Sequence, residues 1–292
     1  VDATDADMLV NRIKVFSGMD ISEKRLPQDG RWEWSVKSYA VTMRVSSLPS
    51  LYGEAIVCRL MGNEGVHKNL LELGMDVELQ EKIAVLLKRP YGLITICGPT
   101  GSGKTATLYA MLRMLNLKET KLICLEDPVE ATIEGAIQIG INEKIGFTFS
   151  KGLRTVLRQD PDSIMIGEIR DNETAQLAVK AALTGHRVIT TVHTNTALGV
   201  IGRLVDMGVE PYLLHATLIG SLSQRLVRRI DSTTHSYQGR LGLFEYLEIP
   251  FSGIDWDHVE QYMFTSLQDS AHLAINSGIT TLEEVHRAGI LL

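Results

Sequence analysis

Eight consecutive residues, Gly98-Pro99-Thr100-Gly101-Ser102-Gly103-Lys104-Thr105, satisfy the template G-x-x-x-x-G-K-[ST] at every fixed position. The template has a physical reason. Glycines let successive backbone N–H groups turn inward around phosphates, the lysine places a charge on the β/γ oxygens, and the final hydroxyl can ligate Mg²⁺. The motif also demands a strand before it and a helix after it. Leu93 to Cys97 is a short apolar run opening after Gly92, and Ala106 to Leu112 reads as a helix whose N-terminal dipole would face the phosphates. Gly98, Thr100, Gly101, Ser102, Gly103, Lys104, Thr105 and Ala106 are therefore expected to line a nucleotide.

Three further apolar runs end in polar groups. Leu122 to Leu125 runs into Glu126-Asp127-Pro128, Ile164 to Ile166 into Gly167-Glu168, and Val188 to Val192 into His193. Strands alternating with helices from Tyr91 onward predict a parallel sheet with helices on both faces. In such sheets ligands bind at the carboxyl ends of the strands, so these distant residues are expected to converge on one nucleotide. Phosphoryl transfer needs a cation near the γ-phosphate, a group for Mg²⁺ and a carboxylate to orient the attacking water. Lys104 supplies the first, Thr105 and Glu168 the second, and Glu126 the third. The residues alone leave the swapped roles of Glu126 and Glu168 open. His193 stands where it can sense the γ-phosphate, whereas His186, at the other end of its strand, faces either the core or a neighbouring subunit. Arg154 and Arg158, four apart on a helix starting near Ser150, form either a solvated ridge or a source of charge for the transition state.

Ahead of this region the pattern changes. A helix is expected between Ala6 and Gly18. Alternation at Trp32, Trp34 and Val36, and again at Val41, Met43 and Val45, predicts a hairpin turning at Lys37-Ser38, with a third strand from Ala55 to Leu60. This is a small α+β module over residues 1–61. Arg44 and Arg59 interrupt apolar strands, and are either ordinary solvated residues or a pair projecting from one face toward a partner surface. A polar stretch at 62–72 is expected to link the module to a second domain at 73–292. At 292 residues with 45% apolar and 22% charged content, both domains have enough core to fold without staples. A net charge of −6 argues against a general affinity for nucleic acid or anionic membrane, leaving only a local basic patch open. Cys58, Cys97 and Cys124 each lie in an apolar run and are expected in the core. The absence of a long apolar stretch or a signal peptide leads to the expectation of a soluble, cytoplasmic protein. The initial valine points to a processed or truncated chain.

Taken together, these motifs resemble those of the secretion ATPases, the hexameric motors of type II secretion and type IV pilus assembly. The likeness rests on Leu125-Glu126-Asp127-Pro128-Val129-Glu130, Leu157-Arg158-Gln159-Asp160-Pro161-Asp162, Ile166-Gly167-Glu168-Ile169-Arg170-Asp171 and Thr191-Val192-His193-Thr194-Asn195. Arg25-Leu26-Pro27-Gln28-Asp29-Gly30-Arg31, Gln224-Arg225-Leu226-Val227-Arg228 and Gly278-Ile279-Thr280-Thr281-Leu282-Glu283-Glu284-Val285 extend it over nearly the whole chain. The resemblance implies a RecA-like motor domain preceded by a PAS-like second N-terminal domain. It implies ATP and Mg²⁺ as ligands, a homohexamer, Glu126 as general base, Glu168 as the Walker B acid, and Arg44 and Arg59 acting on the phosphates. It also implies partners: an inner-membrane platform protein and a recruitment protein, which hold the motor peripherally at the inner membrane.

Two departures from that pattern matter. A four-cysteine zinc subdomain common in assembly and secretion members would follow Arg228-Arg229, but Ile230 to His235 runs almost directly into Gly239-Arg240-Leu241-Gly242, so no zinc site is expected. The family's far N-terminal docking domain and the start of its second domain are also absent from this sequence. A pilus-retraction motor and a DNA-translocating or DNA-uptake ATPase of the same superfamily are the alternative readings. A nucleotide switch without turnover is disfavoured by the two carboxylate stations.

Overall fold

The structure is a computed structural model that describes residues 3–36, 39–61, 66–250 and 255–292. The chain divides into two compact units, Val1–Glu64 and Gly65–Leu292. The expected turn at Lys37-Ser38 and the first part of the expected 62–72 linker lie outside the described residues.

The first unit packs helix α1 (Ala3–Phe16) on an antiparallel sheet of β1 (Gln28–Val36), β2 (Tyr39–Ser50) and β3 (Gly53–Met61), in the order β1-β2-β3. Alternation decides which side is covered. Met43 and Val45 of β2 are buried in a small cluster with Met19, Ile13, Trp32 and Ile56, while Arg44 between them is exposed on the opposite face. The register sets Arg44 directly opposite Arg59 on β3 and opposite Arg31 on β1, so three arginines cross the open face in one row. Cys58 departs from expectation. It lies opposite buried Val45, but β3 is an edge strand and the cysteine is exposed. An ion pair sits inside this unit: Lys14, fully buried, donates to Glu54 at 2.7 Å and to the Glu23 carbonyl at 2.7 Å.

The second unit opens with α2 (Val77–Leu86), capped by Asp76, whose side chain accepts from the Leu79 N–H. Then come β4 (Gly92–Cys97), α3 (Lys104–Arg113), β5 (Leu122–Glu126), β6 (Ile137–Gly140), α4 (Phe149–Val156), β7 (Ser163–Ile166), α5 (Asn172–Leu183) and β8 (Arg187–Val192). Helices α6 (Gly199–Asp206) and α7 (Pro211–Thr217) lead into β9 (Leu218–Ile230) and β10 (Tyr237–Glu248), followed by β11 (Met263–Thr265), α8 (Leu267–Asn276) and α9 (Leu282–Arg287). The eight strands form one sheet in the order β11-β10-β9-β4-β8-β7-β5-β6. Strands β9, β4, β8, β7, β5 and β6 run parallel, and β10 and β11 add an antiparallel edge.

Residue alternation along the central strands builds the two layers. On β4, Leu93 and Cys97 join the core against α4, α5, α6 and α7, while Ile94 and Ile96 join the core against α2 and α3. Neighbouring strands repeat this division, with Ile164 and Ile166 on the first side and Met165 on the second. Strands buried on both faces read as continuous apolar runs, which is why the sequence shows them so plainly. A third cluster, including Val227, Leu243, Leu267 and Val285, docks α8 and α9 on β9 and β10.

Candidate active site

The phosphate loop leaves the carboxyl end of β4, the strand between β8 and β9. All three of its glycines have positive φ, and two are also hemmed in by neighbours. Gly98 has φ +145°, and a Cβ there would fall 2.5 Å from Ser102 Oγ and 2.6 Å from the Gln224 carbonyl oxygen. Gly103, at φ +91°, caps α3, and its Cβ would meet Gln224 Nε2 at 2.8 Å. The loop is thus pressed against β9 through Gln224, whose side-chain oxygen accepts from Thr107 Oγ1 at 2.7 Å. Ser102 Oγ and Gln224 Nε2 are buried and find no hydrogen-bond partner among the described residues.

Lys104 begins α3 and is only 9% exposed. Its ammonium donates to the carbonyls of Gly98 at 2.9 Å and Pro99 at 3.0 Å, so the loop encloses its own cation. Burial pushes the lysine below the ordinary ammonium range, while the charge of Glu168 acts in the other direction. Thr105 follows, exposed at the first turn of α3.

The ends of β5, β7 and β8 are tied together beside the loop. The Gly167 N–H donates to the Leu125 carbonyl at 2.8 Å, Thr191 Oγ1 donates to the Gly167 carbonyl at 2.7 Å, and the Ile169 N–H to the Thr191 carbonyl at 3.0 Å. These bonds bring Glu168 and His193 together. Glu168 pairs with the Arg170 guanidinium on one side, and its Oε2 lies 3.4 Å from His193 Nε2 on the other. Glu126 takes a different setting. It is 3% exposed, its Oε2 accepts from the Tyr109 hydroxyl, and its Oε1 accepts from Gln138 Nε2 at 2.9 Å. Burial raises this carboxyl above the usual range against the opposing pull of both hydrogen bonds. The two carboxylates are therefore chemically distinct, one paired with Arg170 beside His193 and partly open, the other desolvated.

Other expected residues resolve less centrally. Arg154 is exposed and paired with Glu173 at 2.8 Å, and Arg158 lies beyond the end of α4, donating to the Arg154 carbonyl at 2.7 Å. His186 Nδ1 lies 3.0 Å from the Ala181 carbonyl, at the junction of α5 and β8. Arg44 and Arg59 belong to the first unit and share the row with Arg31. Sequence reading passes over Tyr109 and Gln138, because an aromatic on the buried side of a helix and a glutamine on a short edge strand carry no signal of their contact with Glu126.

A glycine-rich phosphate loop on the central strand, inside a mainly parallel sheet with helices on both faces, defines a P-loop protein of the RecA-like kind. The chain belongs to the family of type II/IV secretion system proteins, whose sequence model matches residues 2–287. It is 52% identical over 225 residues to the type II secretion system protein E of Klebsiella pneumoniae, covering 77% of this chain and 45% of that protein. It is 41% identical over 327 aligned positions to the type II secretion system ATPase E of Vibrio cholerae, covering 97% of this chain and 65% of that protein. Among solved structures, the pilus retraction motor PilT with bound ADP matches at 28% identity and a TM-score of 0.70, covering 90% of this chain and 78% of that one. The chain spans about half the length of the Klebsiella protein.

Proposed function

We propose that this chain is the ATP-hydrolysing part of a hexameric motor that powers type II protein secretion. The observation that carries the reading is the gathering of four strand ends. β4 delivers the phosphate loop, and β5, β7 and β8 deliver Glu126, Glu168 and His193 at the same edge of the sheet. The naming of the relatives at 52% and 41% identity supports secretion over pilus retraction.

The residues fit MgATP. The cradle at Gly98 and Gly103 has no room for a Cβ, which suits a loop whose backbone closes on phosphate oxygens. Thr105, exposed at the start of α3, and Glu168, partly open beside Arg170, would hold Mg²⁺. When bound, Mg²⁺ neutralises phosphate charge and fixes its orientation. Lys104 carries a desolvated charge to the β/γ oxygens, releasing the loop carbonyls that hold it. Glu126 takes the proton of the attacking water, a role favoured by the raised affinity of its carboxyl for a proton. His193, against Glu168, reports the state of the γ-phosphate to the end of β8. Arg44 and Arg59 supply further positive charge to the phosphates in the assembled motor. The motor acts on an inner-membrane platform protein and reaches the membrane peripherally through its partners; no helix among the described residues is long and apolar enough to cross a membrane. Steady-state phosphate release tests the reading: Lys104→Ala should abolish it, and turnover surviving in that variant would exclude this loop as the hydrolytic site.

A further inference from the structure

We infer that Tyr109 and Gln138 are positioning residues that aim the Glu126 carboxylate, and that Tyr109 ties this aim to the helix rising from the phosphate loop. The inference rests on the reading of Glu126 as base and names the groups on which that base depends.

The number of protons available fixes the direction of each hydrogen bond. The Tyr109 hydroxyl has one proton and two lone pairs. Two of its neighbours, the backbone N–H groups of Glu130 and Ala131 at 3.2 and 3.3 Å, can only donate. Its single proton therefore goes to Glu126 Oε2. The Gln138 amide is fixed in the same way. Its oxygen accepts from the Ile133 N–H at 2.8 Å, which turns the NH₂ group toward Glu126 Oε1 at 2.9 Å and the Ala131 carbonyl at 2.8 Å. Each carboxylate oxygen thus faces an obligate donor from a different element, α3 on one side and β6 on the other. A carboxylate held at both oxygens cannot rotate about its terminal bond without losing one of the two. Such a hold matters for a general base, whose lone pair must meet the water proton within hydrogen-bond reach.

Tyr109 lies five residues after Lys104 on α3, about one and a half turns along the helix that the phosphate loop initiates. It is fully buried, and its hydroxyl also gathers the backbone that follows Asp127-Pro128. A shift of α3 as the loop closes on phosphate would move the donor that fixes Glu126. The bland alternative is that the tyrosine merely satisfies a buried carboxylate and stabilises the fold. The two accounts differ in what they predict for kcat when the base is already missing.

The experiment compares Tyr109→Phe and Gln138→Leu with the unsubstituted protein. It measures kcat, KM for ATP, binding of a fluorescent ATP analogue and the thermal unfolding midpoint. The expected result is a 10- to 100-fold loss of kcat with KM and analogue binding within about twofold, the scale on which misaimed catalytic groups lose rate. In single-turnover reactions of Glu126→Gln, adding Tyr109→Phe should cost nothing more, because there is no base left to aim. Unchanged kcat in both single variants would overturn the inference while leaving Glu126 as base. So would an equal extra loss in the Glu126→Gln background, which would mark a structural role. Undiminished turnover in Glu126→Gln alone would instead remove the base assignment, and this inference with it. Gln138→Leu decides the outcome if Tyr109→Phe does not fold.

Discussion

Arg44 of β2 and Arg59 of β3 are cross-strand partners in register, both exposed on the face of the first unit that α1 leaves open. Like charges directly opposite each other destabilise a sheet. Arg31 extends the row. An arrangement that disfavours the isolated sheet is explained if an anion meets it, and the phosphates of ATP are the anion proposed above to do so. Arg59→Ala is expected to lower ATP turnover at least tenfold without loss of thermal stability. Unchanged kinetics in a confirmed hexamer would count against a role for this face in hydrolysis.

The buried pair of Lys14 and Glu54 gives a stability prediction in the same unit. Removing one partner strands the other charge in the interior, which costs about 3–5 kcal/mol. Lys14→Ala should therefore destabilise the first unit by that order, measured by denaturant unfolding, and Lys14→Met with Glu54→Leu should recover most of the loss. A single variant as stable as the parent would show that the pair is not anchored as described. Nothing in the sequence marks Lys14, since a lysine on an amphipathic helix reads as solvated and its partner lies forty positions away.

Glu284 supplies the pH dependence. It is buried between Arg228 and Arg287, and hydrogen bonds from both hold its carboxyl far below the usual range. A depressed carboxylate contributes stability that is fully present above the ordinary value of about 4.3 and is lost as pH falls through the folded-state value. Unfolding midpoints should therefore drop as pH falls below about 4.3, and the drop should be smaller in Glu284→Gln. An identical acid profile in that variant would exclude Glu284 as the source.

What the sequence disclosed followed from burial and periodicity. Strands β4, β5, β7 and β8 are covered on both faces, so each appears as an apolar run with its functional group at the end. Their convergence needed only the rule for parallel sheets. The facing of Arg44 and Arg59 was legible as alternation, but their direct opposition was not, because register depends on the turn between strands. Cys58 looked like core because composition cannot tell an edge strand from a central one. The company of Glu126 was hidden for a related reason: Tyr109 and Gln138 come from elements 17 and 12 residues away, and no local pattern links them.

The most direct measurement is ATP binding and phosphate release recorded side by side for Glu126→Gln. The substitution keeps the size of the side chain while removing the basic carboxylate, and it sets an amide NH₂ against one of the two donors, Tyr109 or Gln138. Nucleotide affinity should stay near that of the parent while turnover falls by about 10²- to 10⁴-fold, the usual contribution of a general base. Phosphate release at the parental rate would contradict the assignment of Glu126, and with it the account of how this site hydrolyses ATP.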